Sequence, residues 1–142
     1  MLKLVIDTNV VISALLKPES SPALIMSLVL RGNCTLCLTE KIFAEYEEVS
    51  GRGKFKKLDH GSVREFLSTL RRRALWVVPK VQVDGITKDP DDNVFLECAL
   101  ESRADFLITG NIHHFPEKKF RHTAIVAPGE FVSHAVKLIE PK

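Results

Sequence analysis

Short apolar runs alternate with helical patterns along this 142-residue chain, and this alternation restricts the fold more than any other feature. Five runs predict strands: residues 2–6, "CTLCL", "LWVV", "DFLITG" and "TAIVA". Strands that read as apolar runs are typical of a parallel sheet that helices cover on both faces. The sequence therefore predicts an α/β fold, a single three-layer α/β/α domain with a central, mostly parallel sheet of about five strands.

Cap and turn residues indicate where the helices begin. Thr8 or Asn9 is predicted to cap the first helix, and Ser21 followed by Pro22 opens the second. The remaining helices are expected to follow Thr39, a capping box of Ser62 and Glu65, the pair Asp89 and Pro90, and Pro128, the last helix running only to Ala135. Helices placed between the strands in this way supply the crossover connections that parallel strands need.

The composition fits one compact domain. A hydrophobic content of 45% is enough for a core, so we expect residues 1–142 to form a single domain. Asp7 interrupts the N-terminal apolar region, and no apolar run approaches the roughly 18 residues of a membrane span. We therefore expect a cytoplasmic protein without membrane association. Cys34 and Cys37 lack a second ligand pair for zinc and are predicted to be buried thiols.

Positive charge is concentrated in residues 51–73. This segment has eight lysine or arginine residues against Asp59 and Glu65, in a chain whose net charge is +2, so the remainder of the chain is acidic. A basic segment beside an acidic remainder fits a protein that binds a polyanion next to a metal site. The alternative is a solvated helix face without a ligand.

Asp7 is the first candidate functional residue, because it stands between two aliphatic runs in "LVIDTNVVIS". A carboxylate in so apolar a setting costs free energy unless hydrogen bonds, an opposite charge or a metal ion compensates it. Asp7 also follows a predicted strand, and ligands of open α/β sheets bind beyond the carboxyl ends of the strands. The structural alternative is that Asp7 only caps the following helix.

Two further acids, on two different predicted helices, each interrupt the apolar stripe that faces the core. Glu45 shares that side of its helix with Val49, and Asp92 precedes Leu96 by four residues. A long glutamate can instead extend its carboxylate to solvent, and aspartates in a first helical turn also favour the helix dipole. Gathered in one crevice with Asp7, these carboxylates would raise one another's pKa unless a cation joined them.

A ligand set made only of oxygen predicts Mg²⁺ or Mn²⁺ as the cofactor. One or two such ions orient a water molecule and stabilise the negative charge of a phosphodiester during in-line attack. The acids therefore predict a phosphodiester hydrolase.

The chain resembles the PIN-domain ribonucleases along essentially its whole length. "VIDTNVVIS" is similar to that family's N-terminal signature, "DPDDNVFLECALESRADFLITGN" to its third and fourth motifs, and "APGEFV" to its closing segment. The size and layout resemble the VapC-type toxins of toxin-antitoxin modules. The resemblance implies a metal-dependent endoribonuclease that has RNA as its substrate, an antitoxin protein as its partner, and a homodimeric assembly.

Residue by residue, the resemblance makes Asp7, Glu45 and Asp92 the catalytic, metal-binding acids, and Thr109 the family's strand-end threonine. The family usually has an aspartate where this chain has Asn111, which we count as a fourth metal ligand. A neutral amide oxygen can still orient water but attracts a second cation less, so occupancy by two ions is an open point.

Further residues around the acids complete the predicted site. Those expected to support the ligands or to contact a phosphate are Asn9, Thr109 and His113. For His113 and the adjacent His114, ordinary loop side chains are the alternative. Those expected to bind RNA are Arg52, Lys54, Phe55, Lys56 and Lys57.

Two other classes of function remain open. A haloacid dehalogenase-like phosphotransferase would use Asp7 as its nucleophile, but it usually has a second aspartate where this chain has Asn9. A non-catalytic module would keep the fold and bind RNA or a partner through residues 51–73. Dinucleotide binding has little support, because "GRGKFK" lacks the third glycine and follows a helix.

Overall fold

The computed structural model of the chain describes residues 1–55, 58–84, 87 and 89–139. Within these residues the chain forms six strands and six α-helices. The strands are β1 (Lys3–Ile6), β2 (Thr35–Leu38), β3 (Leu75–Trp76), β4 (Phe106–Ile108), β5 (Lys119–Phe120) and β6 (Thr123–Val126). The helices are α1 (Thr8–Leu16), α2 (Ser21–Leu30), α3 (Glu40–Ser50), α4 (His60–Arg73), α5 (Asn93–Ser102) and α6 (Pro128–Ile139).

The strands form one sheet in the order β3-β2-β1-β4-β6-β5. All neighbouring pairs are parallel except β5 with β6, which are antiparallel. The order reverses beside β1, since the chain first adds β2 and β3 on one side and then β4 and β6 on the other. The predicted mostly parallel α/β sheet is confirmed, and β1 is its central strand.

The number and length of the edge strands differ from the prediction. The sheet has six strands because β5 joins at one edge, where only two residues of the polar stretch "EKKF" pair with β6. At the other edge β3 covers two residues rather than all of "LWVV". The neighbouring strand β2 ends at Leu38, whose carbonyl accepts one more hydrogen bond from the backbone nitrogen of Val77. Beyond Leu38 the residues that follow β2 turn into α3 and no longer pair with β3.

Helices cover both faces of the sheet. Leu4, Val5 and Ile6 follow one another in β1 and each is fully buried, although successive side chains in a strand point to opposite faces. Helix α5 packs against β1, β2 and β4, while α2 packs against α1, α4 and α6. The three-layer prediction is thus confirmed. Cys34 and Cys37 are buried free thiols, as predicted, and so is Cys98, about which the sequence makes no prediction.

Several helix caps differ by one to three residues from those predicted. Asp7 itself caps α1 by accepting a hydrogen bond from the backbone of Asn9, and Ser20 caps α2. Thr39 caps α3 as predicted. The capping box of Ser62 and Glu65 is wrong, because α4 begins at His60 with Asp59 as its cap.

The last two helices also differ from the prediction. Asp89 caps a 3-10 turn, Pro90–Asp92, and α5 begins only after it. Helix α6 runs to Ile139 rather than Ala135. None of the described helices has the length and apolar character needed to cross a membrane.

Tyr46 joins α3 to the central strand. Its side chain is fully buried, and its hydroxyl donates a 2.6 Å hydrogen bond to the carbonyl of Ile6, the last residue of β1. This bond sets the distance between α3, which carries Glu45, and the strand end that carries Asp7.

We expect Tyr46→Phe to lower the free energy of unfolding by about 1–3 kcal/mol, because it leaves the Ile6 carbonyl without its side-chain partner in a buried position. Chemical denaturation measures the change. Ser68→Ala removes an exposed hydroxyl on α4 and should change the same quantity by less than about 0.5 kcal/mol. Equal effects of the two substitutions would contradict a special role of the Tyr46 bond.

Candidate active site

The pairing of β1 with β4 brings Asp7 and Thr109 together. Ile6 lies opposite Ile108 in the register, so the residue that follows each strand leaves the sheet at the same carboxyl end. The Thr109 hydroxyl donates a 2.8 Å hydrogen bond to Asp7 Oδ2, and both side chains are buried. Asp7 Oδ1 accepts a longer bond, 3.4 Å, from the backbone nitrogen of Asn9.

Glu45 lies on α3, which packs against α1. The inward stripe of this helix is buried, Glu45 is half-buried, and Glu47 and Glu48 are exposed, in agreement with the orientation predicted from the sequence. The hydroxyl of Thr8 lies close enough to the Glu45 carboxylate to favour its charged form, although it makes no hydrogen bond of standard geometry with it. The first turn of α1 therefore adjoins the Glu45 carboxylate.

Asp92 ends the 3-10 turn before α5, and only 8% of its surface is exposed. Its Oδ2 atom lies 2.9 Å from Nδ1 of His114. Asp91, its neighbour in the same turn, is exposed, as the offset of Asp91 from the apolar stripe predicted.

The three carboxylates lie within one another's electrostatic field. Burial is the main reason that the pKa of Asp7 is raised, and the charge of Asp92 adds to the effect, while the bond from Thr109 opposes it. Burial likewise raises the pKa of Glu45, with contributions from the charges of Asp7, Asp91 and Asp92. The pKa of Asp92 is raised by burial and lowered in part by His114. Each acid thus makes ionisation of the others more costly.

Asn111 begins the 3-10 turn Ile112–His114. Its backbone nitrogen donates a 3.0 Å hydrogen bond to the Thr109 hydroxyl, and its half-buried side chain makes no capping bond to the turn. The structure thus places Asn111 three residues beyond the end of β4, where its backbone binds the same threonine hydroxyl that donates to Asp7. Whether its amide oxygen binds a metal stays a prediction.

His114, which the sequence raised beside His113 but which was not selected as a site residue, is the histidine that contacts Asp92. His113, which we named, is exposed, and its ring packs edge-on against that of His114 with centroids 4.6 Å apart. His114 is the partner of Asp92 because the turn brings its backbone nitrogen back to the carbonyl of Asn111. The sequence signal was the short "NIHH" stretch. Its last residue, His114, comes back to the first, Asn111, only if the segment forms a helical turn.

Among the described residues, the compact group of candidate ligands contains Asp89 and His114 together with Asp92, and it includes neither Asp7 nor Glu45. One ligand atom from each of Asp89, Asp92 and His114 lies within 4.8 Å of the others. Asp92 is therefore common to this group and to the predicted set of Asp7, Glu45 and Asp92.

The predicted RNA-binding residues are only partly described. Lys56 and Lys57 lie outside the described residues, as does the side chain of Lys54. Phe55 is half-buried in a 3-10 turn, and Arg52 forms an exposed ion pair of 2.8 Å with Glu48. Glu48 mainly, and Glu45 more weakly, raise the pKa of Arg52, so the basic segment begins within electrostatic reach of the acids.

The site also contains a buried polar atom without a partner. The Thr8 hydroxyl is inaccessible to solvent and has no hydrogen-bond partner among the described residues. Buried polar groups are nearly always paired, and an orphaned group is typical of a position next to a water or an ion. Glu45 adjoins this hydroxyl, and the oxygen donors of Asp7, Glu45 and Asp92 are of the kind that fits a hard divalent cation.

Comparisons with known proteins agree with this architecture. A family model described as "PIN domain" matches residues 3–113. The uncharacterized protein MJ1680 of Methanocaldococcus jannaschii is 28% identical over 148 residues, which cover 97% of this chain and 94% of that protein. The crystal structure of VapBC2 from Rickettsia felis bound to a DNA fragment from their promoter contains a similar chain. That likeness has a TM-score of 0.55 at 16% identity and covers 89% of this chain and 98% of that one, which shows a shared fold.

Asp7→Asn is expected to raise the melting temperature of the protein in EDTA at neutral pH. A raised carboxyl pKa means that ionisation of Asp7 destabilises the fold. The stability that the substitution adds is therefore fully present above that raised pKa and disappears as the pH falls toward 3.8. The asparagine oxygen can still accept the stronger bond, from Thr109. Thermal unfolding between pH 4 and 8 measures the effect, since about 1 kcal/mol moves the melting temperature of a domain near this size by about 2–4 °C.

Asp59→Asn is a matched control of opposite sign. Asp59 is exposed, and its bonds from Ser62 and Gly61 lower its pKa, so its stabilisation is present above pH 3.8 and is lost as the pH falls through the lowered pKa. That substitution should lower the melting temperature at neutral pH. A lower melting temperature for Asp7→Asn as well would indicate that Asp7 serves mainly as a helix cap.

Proposed function

This chain belongs to the PIN-domain family, and on that premise we propose that it is a metal-dependent endoribonuclease that hydrolyses RNA phosphodiester bonds. We further propose that it acts in the cytoplasm as the toxin of a toxin-antitoxin pair. The observation that carries the first proposal is the cluster of Asp7, Glu45 and Asp92, which come from three separate elements and raise one another's pKa. A protein gains nothing in stability from such a cluster, so a ligand is the reason to keep it.

The residues of the cluster fit Mg²⁺ or Mn²⁺. Asp7, Glu45 and Asp92 would hold the ion, with Asn111 as a neutral fourth ligand. A bound ion of this kind supplies a polarised water molecule and neutralises negative charge on the phosphodiester.

The protein's own contribution is to hold these ligands in position. Thr109 orients the Asp7 carboxylate, since its hydroxyl donates to Asp7 and accepts from the backbone of Asn111. Tyr46 fixes α3, and with it Glu45, against the end of β1. Asn9 and His113 adjoin these residues and are exposed, which supports an approach of the phosphodiester from that side.

The structural neighbour supports a partner protein. The similar solved chain belongs to a VapBC2 complex on promoter DNA. By analogy we propose an antitoxin protein that binds this chain, and a homodimer as its assembly. Copurification of the chain with the product of a neighbouring reading frame tests the first, and light scattering tests the second.

A non-catalytic PIN module is the second candidate. The observation that favours it is Asn111 at the position where the family usually has an aspartate, because one ligand charge is missing. An aspartate-nucleophile phosphotransferase has less support, since both Asp7 oxygens accept hydrogen bonds and Asn9 replaces the usual second aspartate. Failure of beryllofluoride to bind Asp7 would remove that option.

We expect the purified chain to cleave RNA with Mg²⁺ or Mn²⁺ and to become inactive in EDTA. Glu45→Gln and Asp7→Asn should each lower the cleavage rate by at least about 100-fold, because removing even a supporting partner of a metal ligand costs about 10–100-fold. A time course on a labelled RNA measures the rates.

Glu47→Gln is the matched control for this test. Glu47 lies on the exposed side of α3, two residues from Glu45, so its variant should cleave as fast as the parent. Equal activity of Glu45→Gln and Glu47→Gln would contradict the proposed site. RNA binding without cleavage at any metal concentration would establish the non-catalytic module instead.

Neutralising Lys54, Lys56 and Lys57 together should weaken RNA binding and flatten its salt dependence. For a single strand, each phosphate that no longer pairs with a lysine reduces the slope of log K against log salt by about 0.7. Titrations with a catalytically inactive variant at several salt concentrations measure the slope. The control removes the exposed lysines Lys17, Lys118 and Lys137, and it should leave the slope closer to the parent value. Equal slopes for all three proteins would make residues 51–73 an ordinary solvated surface.

A further inference from the structure

Two arginines occupy backbone positions that favour glycine. Arg103, directly after α5, and Arg121, in the turn between β5 and β6, are the two non-glycine residues with a positive φ in the described part of the chain, at 57° and 55°. This left-handed conformation costs free energy for a residue with a side chain, and glycine at either place would avoid the cost. Helix ends and tight hairpin turns with such a backbone usually have glycine or asparagine. The two arginine side chains are therefore kept at some expense of stability, which indicates a task for them.

Both arginines line the same cavity, which has a volume of about 310 Å³. It lies between the end of α5 and the β5–β6 turn, and its lining residues are Ala99, Leu100, Arg103, Arg121, His122 and Thr123. Ala99 and Thr123 are almost completely buried, whereas the three basic residues are exposed at its rim. None of these lining residues is acidic, so the cavity is shaped for a ligand with negative charge.

Positive charge prevails around this cavity. Asp105 is an acid beside it, but both of its carboxylate oxygens already have partners. Oδ2 accepts a 2.8 Å hydrogen bond from the backbone nitrogen of Lys3, and Oδ1 lies 3.5 Å from Nε2 of His122. Neither Arg103 nor Arg121 forms an ion pair within the described residues. Their two charges therefore remain available to an anion from solvent.

The end of α5 adjoins the cavity, and the partial negative charge of a helix end opposes the binding of an anion. The last carbonyls of α5, however, accept hydrogen bonds from the backbone nitrogens of Arg103 and Ala104. Glu101, the acid in the last turn, accepts a hydrogen bond from the backbone of Lys80. The helix end amounts to about half a charge, so the two full charges of the guanidinium groups outweigh it.

Two guanidinium groups at the rim of one cavity suit a phosphate group. Each guanidinium presents its donors in a planar fork that matches the oxygens of a phosphate or a carboxylate. A single arginine satisfies a carboxylate, whereas a phosphate has further oxygens for a second arginine and for the ring of His122. Arg121 is also held in position, since its guanidinium lies over the ring of Phe120, 5.9 Å from the centroid.

The cavity lies at the end of the sheet opposite to the candidate active site. Asp105 precedes β4 and His122 precedes β6, whereas Asp7 follows β1 and Thr109 follows β4, and these three strands are parallel. Asp105 and Thr109 are separated by the length of β4, about 13 Å at about 3.3 Å per residue. An anion bound in the cavity is therefore not the phosphodiester that the acids would cleave.

We propose that Arg103, Arg121 and His122 form a binding site for a phosphate group, either free phosphate or the phosphate of a nucleotide. The bound anion would link the end of α5 to the β5–β6 turn. This site does not rest on the proposed function, because neither the metal ion nor the RNA at the carboxyl end of the sheet takes part in it.

Nuclear magnetic resonance of the full chain, labelled with nitrogen-15, tests the proposal by titration with inorganic phosphate. Metal is removed first, so that phosphate cannot bind through an ion at the acids. We expect saturable shifts of the backbone amide signals of residues 103–105 and 121–123, while those of Asp7 and Thr109 stay in place. A second titration with adenosine monophosphate distinguishes the two sources. Tighter binding than that of inorganic phosphate identifies a nucleotide site, and equal or weaker binding a site for free phosphate.

Arg103→Gly combined with Arg121→Gly should weaken phosphate binding by at least about tenfold, because it removes the charge-assisted hydrogen bonds. The same change relieves the backbone at both positions, so the melting temperature should stay at or above the parent value. Lys118→Ala combined with Lys137→Ala is the matched control, since it removes the same charge at exposed positions outside the cavity. That variant should bind phosphate nearly as tightly as the parent.

Shifts that do not saturate in the parent, or equal phosphate affinity of the parent and the double glycine variant, would overturn the proposal. A lower melting temperature with unchanged binding would mean that the arginines only support the fold. Should the glycine variant fail to fold, Arg103→Asn combined with Arg121→Asn decides the test, because asparagine also tolerates the left-handed backbone.

Discussion

The parallel pairing of β1 with β4 is the interaction on which the rest of this structure depends. Its register sets Ile6 beside Ile108, so the first polar residue after each strand emerges at the same carboxyl end of the sheet. There the Thr109 hydroxyl donates a hydrogen bond to Asp7 and accepts one from the backbone nitrogen of Asn111. A shift by one residue would turn these side chains toward opposite faces, so the apolar pattern of two buried strands also determines the geometry of the site.

The fold concentrates negative charge where burial makes it most costly. Asp7 and Asp92 are both nearly inaccessible, and no lysine or arginine of the described residues is among the charges that lower the pKa of either one. The pKa of Asp7 is lowered mainly by neutral donors, the Thr109 hydroxyl and the backbone nitrogen of Asn9. The pKa of Asp92 is lowered by His114. Neutral donors orient a carboxylate without taking its charge away, so the site remains able to attract a cation.

Sequence patterns predicted those parts of the site that depend on regular elements. Asp7 was found because it ends an apolar run, and Glu45 and Asp92 because they continue a helical stripe, features that survive errors of one or two residues in the element boundaries. His114 was not selected from the sequence, because its contact with Asp92 depends on a 3-10 turn that no periodic pattern predicts. Strand β5 was missed for a related reason. Only two residues of a charged segment form it, and they are a strand only because they pair with the outer side of β6.

The neutral residue at 111 and the histidine at 114 are best understood together as a way to limit buried charge. A fourth carboxylate near Asp7 would raise the pKa values of the other acids further and would destabilise the fold whenever metal is scarce. An imidazole adds no negative charge, and the hydrogen bond between His114 and Asp92 opposes the rise in the pKa of Asp92 that burial causes. In this chain the neutral amide at 111 and the contact of His114 with Asp92 therefore both limit what the buried acids cost the fold.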